Sequence, residues 1–290
     1  MIDYDAKSWL RVAFAVKGTV LPRIALRIAM VAAIGVLAAW LNARIGLKIP
    51  AIAHTLIGVA LGLLLVFRTN ASYDRYWEGR KLLGSMVNRT RDVSRQIAAY
   101  TRGDDAATRA HVLAVRRYLV LFYRLAAQGL RSEKNLDAVA PLLADGDREI
   151  LEPVNARAYV ALRLLTKHVR ALHEEGKLSD PHVITIDGGV TALVDALGAC
   201  ERIVKTPVPF AYAQHIKVFV LLFTFTIPFA VVDVLHWGTP VAAAILGFAL
   251  FGIDEIGVEI EDPFGYDDND LPVERIGDGI EASTKDIVGG

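Results

Sequence analysis

From Ile52 to Arg80 the chain runs IAHTLIGVALGLLLVFRTNASYDRYWEGR with no proline. This stretch limits the fold more than any other. Its first half is apolar on all sides, and its second half carries Arg68, Asp74, Arg75, Glu78 and Arg80. Gly58 and Gly62 sit among good helix formers, so the pattern predicts one continuous helix. The apolar half suits a membrane span, and the charged half has to emerge into water or into a polar protein interior. Val59, Leu63 and Phe67 lie four residues apart and form one apolar ridge. Gly58 and Gly62 form a small-xxx-small pair beside it, which lets a neighbouring helix approach closely. A ridge beside a glycine groove suits a helix packed against copies of itself around an axis. The plainer alternative is lipid-facing or bundle-core surface, which any apolar helix has.

Three further spans are expected around this helix. The first is Val20–Leu41, with Arg23 and Arg27 one turn apart in its first half, placed to snorkel to phosphates or pair with acids. The third is Ile216–Leu235, with Pro228 inside it. The fourth, Pro240–Ile253, follows the short HWGT connection, so the two form a hairpin with Trp237 at its tip. Fourteen residues fall short of the ~20 a full crossing needs, so this helix is expected to continue through Asp254–Ile260 as a buried segment, or the bilayer to thin there. No span is expected between Lys81 and Pro207. Apolar residues at helical spacing there predict helices over Thr108–Leu130, Pro153–His173 and Ile184–Val204, with Gly188 and Gly189 as weak points in the last. Asp145–Glu149 and Glu174–Pro181 read as polar turns, and no strand-period run is present.

The expected fold is therefore all-α: four transmembrane helices per protomer plus a helical cytosolic body. Its parts are an amphipathic N-terminal segment (1–19), two transmembrane helices (20–80, the long helix being 52–80), a helical cytosolic region (81–207), two more transmembrane helices (208–260) and an acidic C-terminal tail (261–290). A chain 53% hydrophobic yet 22% charged fits spans joined to a polar body. Lys and Arg balance Asp and Glu at 32 each, so bulk charge gives no reason to expect a nucleic-acid partner. The single cysteine, Cys200, excludes an intrachain disulfide and a cysteine metal cluster and reads as a small buried apolar residue. The N-terminal MIDYDAKSWLRVAF is acidic and aromatic, unlike a cleaved signal peptide. Four spans put both termini on one side. The basic loops 1–19 and 81–110 mark that side as cytoplasmic, against a modest contradiction from Arg44 and Lys48. The expected location is a bacterial inner membrane, multi-pass, with both termini in the cytoplasm.

Three patches carry a resemblance. FRTNASYDRYWEGR (Phe67–Arg80) resembles the signature after the second membrane helix of prokaryotic bestrophins. TPVPFAYAQH (Thr206–His215) is similar to that family's entry into its third membrane helix, and EDPFGYDDNDLP (Glu261–Pro272) to the acidic stretch after its last. They occur in the family's order, and the resemblance covers nearly the whole chain. It implies a homopentamer with a single axial pore, embedded in membrane lipid and conducting small monovalent ions. It implies that Val59, Leu63 and Phe67, placed against Arg75–Trp77, line a narrow hydrophobic neck that gates by dewetting. Val59 is smaller than the family's usual residue, so the outer neck is expected to be less tight. Val208, before Pro209, takes the place of a second, cytosolic aperture; the alternative is a loop valine packed into the body. Eukaryotic relatives conduct chloride and other anions, cation conduction occurs in the prokaryotic branch, and a neutral neck leaves selectivity to flanking charge.

The run from Asp267 to Asp270 resembles the calcium clasp of eukaryotic bestrophins. Matched through PFG, Asp267 and Asp270 take its side-chain positions, whereas Tyr266 and Asn269 stand where that run has acids. Clustered carboxylates suit a hard cation such as Ca²⁺. The favoured reading is that the aspartates cap a helix and pair with arginines, so no cofactor is expected. A reading from another class is an integral-membrane enzyme that uses DDND with Mg²⁺ on a phosphorylated lipid. It lacks a second acidic cluster, because Asp254, Glu255, Glu259, Glu261 and Asp262 lie too near in sequence. No HExxH, GxxxxGK[ST] or GxSxG motif is present.

Overall fold

The computed structural model describes residues 2, 4, 5 and 7–289. The helices are α1 (Trp9–Ala13), α2 (Leu21–Ile45), α3 (Ala51–Tyr100), α4 (Ala106–Leu130), α5 (Asp147–Leu151), α6 (Arg157–Glu174), α7 (Asp180–Lys205), α8 (Phe210–Leu235), α9 (Thr239–Glu261) and α10 (Val273–Val288). Short 3-10 turns cover Asp137–Leu142 and His236–Gly238. No strand occurs among the described residues. The chain divides into two compact units, residues 1–77 with 207–270 and residues 78–206 with 271–290. The division falls inside α3, which contributes its first half to one unit and its second half to the other.

In the first unit, the hydrophobic cluster joins Ile24 and Val31 of α2, Leu61 and Leu65 of α3, Ile216, Val220 and Phe223 of α8, and Ala243 and Phe251 of α9. Pro22 opens α2, and Gly46 closes it in the left-handed region at φ 66°, which a residue without Cβ adopts freely. A side chain at Gly35 would bring its Cβ within 2.7 Å of Pro240 Cα, so glycine is what lets α2 and α9 meet there. The HWGT turn separates α8 from α9, as expected. Helix α9 runs unbroken to Glu261, so the short fourth span does continue through Asp254–Ile260.

In the second unit, α4, α6 and α7 bury Leu119, Phe122, Leu125, Leu162, Leu165, Leu172, Leu193 and Leu197. Asp105 caps α4, accepting from the Thr108 N–H at 2.9 Å. Gly189 lies where a Cβ would come within 2.6 Å of Val93 Cγ2. Gly189 thus serves a close helix approach, whereas a Cβ at Gly188 would meet nothing, and α7 runs straight through both. Among the described residues, four helical stretches are long and apolar enough to cross a membrane: Leu21–Ile45, Ala51–Tyr100, Asp180–Lys205 and the Phe210–Glu261 run that the turn divides. The third is α7, so the expectation of no span-like stretch before Pro207 does not hold on composition. Its buried side chains, Ile186, Val190, Leu193, Leu197 and Cys200, form one stripe within the second unit, while Asp187 and Asp195 are exposed.

Two expectations change further. The long helix does not stop near Arg80; it continues to Tyr100, because Leu83, Met86, Val93 and Ile97 keep a buried stripe going. Nor are residues 261–290 a plain tail. Val273, Gly277, Ile280 and Thr284 make a buried stripe at helical spacing, and α10 docks on α4. Tyr123 donates to the Val273 carbonyl at 3.0 Å, and Arg124 reaches Asp278 at 2.6 Å and Glu274 at 3.3 Å.

Candidate functional site

The first half of α3 presents an apolar face that nothing among the described residues covers. Val59, Leu63 and Phe67 are 71%, 56% and 57% exposed. They lie on a longer exposed apolar stripe: Ile52, Leu56, Val59, Leu63 and Val66 recur at alternating steps of four and three residues, with Phe67 beside Val66 and Tyr73 and Trp77 further along. Such a repeat is what a helix uses to pack along copies of itself. The opposite face is spent internally through Leu61, Leu65 and Arg68. The two glycines separate. A Cβ at Gly62 would meet nothing, so it belongs to the open face, whereas one at Gly58 would come 3.2 Å from the Phe223 ring, so it serves packing on α8. His54, at the start of α3, is bonded to Thr226 Oγ1 at 2.9 Å and packs on Phe223.

Beneath this apolar stretch the charges are used on one another. Arg68 and Asp254 are both almost fully buried, 3.2 Å apart, and Asp254 also meets Lys217 at 3.2 Å. Arg68 lies against Gly257, where a Cβ would sit 3.4 Å from its Nε, in ordinary contact. The Arg68–Asp254 contact is close but poorly aligned, leaving Arg68 Nε, Asp254 Oδ1 and the adjacent Ser72 Oγ without a hydrogen bond. Arg27 pairs with Glu255 at 2.8 Å. Arg23 reaches Asp267 at 2.6 Å and Glu259 at 3.5 Å. Glu261 accepts the Val208 N–H at 3.0 Å, and its carbonyl accepts from Arg75 Nε at 3.2 Å. The acidic end of α9 is thus a row of acceptors, each answered by a donor from α2, α3, α8 or the segment leading into α8. Val208 is half-buried just before Pro209, which precedes α8. Sequence reading named Arg23 and Arg27 as charges in search of acids, but it could not pair them, because their partners lie more than 200 residues away.

The DDND loop is also internally engaged. Asp267 is paired with Arg23, and its backbone N–H donates to Asp270 Oδ2 at 2.7 Å. Asn269 donates to Glu259 at 2.8 Å and to the Gly18 carbonyl at 3.0 Å, and Asp268 is exposed. Burial and the nearby Asp267, Asp262 and Glu259 carboxylates push Asp270 up to about 6. Asp270 Oδ1 is buried without a hydrogen bond. Among the described residues, no group of three or more His, Cys, Asp or Glu side chains is arranged to hold a metal ion. A second carboxylate cluster free to face DDND is likewise missing from the paired end of α9.

Comparison with known proteins bears on this arrangement. A family model described as bacterial/fungal bestrophin protein matches residues 1–286. The voltage-dependent anion channel-forming protein alr2987 of Nostoc sp. is 36% identical over 282 residues, spanning 97% of this chain and 92% of that protein. The voltage-dependent anion channel-forming protein YneE of Escherichia coli K12 is 32% identical over 286 residues, with 97% and 92% covered. A crystal structure of a bacterial bestrophin homolog from Klebsiella pneumoniae superposes with a TM-score of 0.85 at 30% identity, covering 92% of this chain and 98% of that one.

Proposed function

The chain belongs to the bacterial and fungal bestrophin family, and on that premise we propose that it is the protomer of a homopentameric anion channel. Membership in a family whose relatives carry channel names removes the enzyme reading. The observation that carries the proposal is the open, uncharged stripe of α3 within a unit whose other polar groups are largely paired. Five copies of that stripe around an axis form a neck in which Val59, Leu63 and Phe67 make successive apolar rings. A narrow ring of this kind holds no water until it widens, and so blocks ions without any charged gate. Val208 forms the second narrowing at the cytosolic exit, held by the Glu261 contact to its own N–H. The membrane is the bacterial inner membrane, with both termini in the cytoplasm, as the basic loops 1–19 and 81–110 favour.

Selectivity for small monovalent anions over cations rests on the named relatives, since the neck itself is neutral. The test is reversal potential in a planar bilayer with purified protein under a KCl gradient. Reversal near the chloride potential supports the proposal, and reversal near the potassium potential overturns the anion part of it. The double substitution Leu63→Ala with Phe67→Ala widens the neck and is expected to raise single-channel conductance severalfold. Unchanged currents in an assembled double variant remove these residues as the gate. A non-pentameric particle in detergent removes the axial pore.

A further inference from the structure

Away from the membrane-spanning helices, two histidines meet inside the second unit. His111 on α4 and His168 on α6 face each other Nδ1 to Nδ1 at 2.9 Å, with ring centroids 5.2 Å apart. Such a contact needs one N–H and one lone pair, so the two rings hold opposite tautomers at Nδ1. The surroundings tell them apart. His111 Nε2 lies 3.6 Å from the Glu175 carboxylate, just past the end of α6. His168 has no such acid against its ring. It stacks on Tyr118, with centroids 5.6 Å apart, and Arg117 lies over the same tyrosine at 5.0 Å. Asp147 of α5, a carboxylate whose charge acts on His168 from that side, already accepts from the Tyr118 hydroxyl at 2.9 Å and the Ala144 N–H at 2.8 Å.

We propose that His111 and His168 form a one-proton latch that ties α4 to α6 and opens on the arrival of a second proton. With His111 as the donor at Nδ1, a first proton enters at its Nε2, facing Glu175, and the ring-to-ring bond persists with a charged donor. A second proton has only His168 Nδ1 left to occupy. It replaces the accepting lone pair with an N–H, sets two imidazolium rings face to face and breaks the bond. The groups facing the pair are Arg117 and Tyr118 from α4, Asp147 from α5 and Glu175 after α6. Arg117 adds to the repulsion, and Asp147 offsets part of it.

The sign of the pH effect follows. Burial first, then His111 and Arg117, hold His168 below its ordinary value in the folded protein. The unfolded chain therefore takes up a proton that the folded chain resists, and stability falls as pH drops below about 6.5, flattening once folded His168 is protonated. At neutral pH and above, neither state takes up that proton and the latch is closed.

The experiment is thermal unfolding of the full-length protein in detergent between about pH 7.5 and about pH 5, for wild type, His168→Asn, His111→Asn and the double variant. Asparagine places an amide where Nδ1 lies and does not titrate. Wild type is expected to lose roughly 2–4 °C more than His168→Asn over that range. The double variant should be no flatter than either single one, because the rings act as a unit. If His168→Asn fails to fold, His111→Asn carries the same comparison. Parallel pH profiles in wild type and variants overturn the latch. A rise in Tm with added Zn²⁺ at about pH 7.5, confined to wild type, also overturns it, in favour of a two-histidine metal site.

Discussion

In the unit built from residues 1–77 and 207–270, the deeply buried side chains include Arg68, Asp254, Glu255 and Glu259, while Leu56, Val59, Leu63, Val66, Phe67, Leu222 and Ile245 are exposed. In the unit built from residues 78–206 and 271–290 the arrangement is reversed. Leu121, Phe122, Leu165 and Leu172 are buried, and Arg89, Arg95, Arg163, Lys167 and Arg170 face outward. Both units are helical and both are closely packed, so the difference lies in the solvent each was selected to meet. A helix that faces hydrocarbon gains nothing by hiding leucine, and its charges are stable only if they turn inward and find partners. A helix that faces water follows the opposite rule. The contrast also isolates the α3 stripe. In the first unit, outward apolar residues are the norm on every membrane helix, but on α3 they keep a regular four-and-three spacing from Ile52 to Val66.

The sharpest way to break this comparison is to remove one of the inward charges. Asp254→Ala leaves Arg68 buried without its acid, and the expected loss is about 3–5 kcal/mol, read as a collapse in Tm or in recovery of assembled protein. The paired change Arg68→Met with Asp254→Leu removes both charges and should recover most of that loss, because hydrophobic replacements of a buried pair are often neutral. A double variant as unstable as Asp254→Ala alone would mean that the pair is needed for more than its charge.

A smaller effect tests the other side. Leu165→Ala in α6 empties a fully buried site in the water-facing unit and is expected to lower stability by about 3 kcal/mol. Leu63→Ala deletes the same atoms from an exposed site, so in a dissociated single chain it should lower stability by less than about 0.5 kcal/mol. Comparing the two in the assembled particle sharpens the contrast: any excess loss at Leu63 over the single chain measures contact between copies.

Much of this was legible in the sequence, and the rest was not for definite reasons. The four apolar helices around the HWGT hairpin, the ridge at Val59, Leu63 and Phe67, and the inward use of the acids after Ile253 follow from hydropathy and spacing, which are local. What local pattern could not supply was partnership. Arg68 stood out as the first charge after the apolar run, yet nothing near it in the chain names Asp254. α10 was missed because its apolar positions are sparse, and only the Tyr123 and Arg124 contacts from a distant helix explain why it forms. His111 and His168 lie 57 residues apart and fit no ligand motif, so their meeting becomes visible only once α4 and α6 are packed together.

The last test concerns the DDND loop, where the comparison between inward and outward charge comes closest to failing. Asp270 is buried like Asp254, but it has no cation beside it. Its Oδ2 accepts the Asp267 N–H, its Oδ1 has no hydrogen bond, and three other carboxylates lie near. A carboxyl raised to about 6 in the folded state holds its proton where the unfolded chain has already lost its own. Its contribution to stability is therefore greatest at acid pH and fades as pH rises between about 4 and about 6. Asp270→Asn keeps an acceptor for the Asp267 N–H and presents an amide to the acids, so it should raise stability by about 1 kcal/mol at neutral pH and change nothing below about pH 4. Unfolding curves with and without added Ca²⁺ separate the two accounts of the loop. If Ca²⁺ stabilises wild type and Asp270→Asn abolishes that gain, the aspartates form a cation site. If Asp270→Asn is the more stable protein with or without Ca²⁺, the loop holds no cation and its buried acid is better neutral.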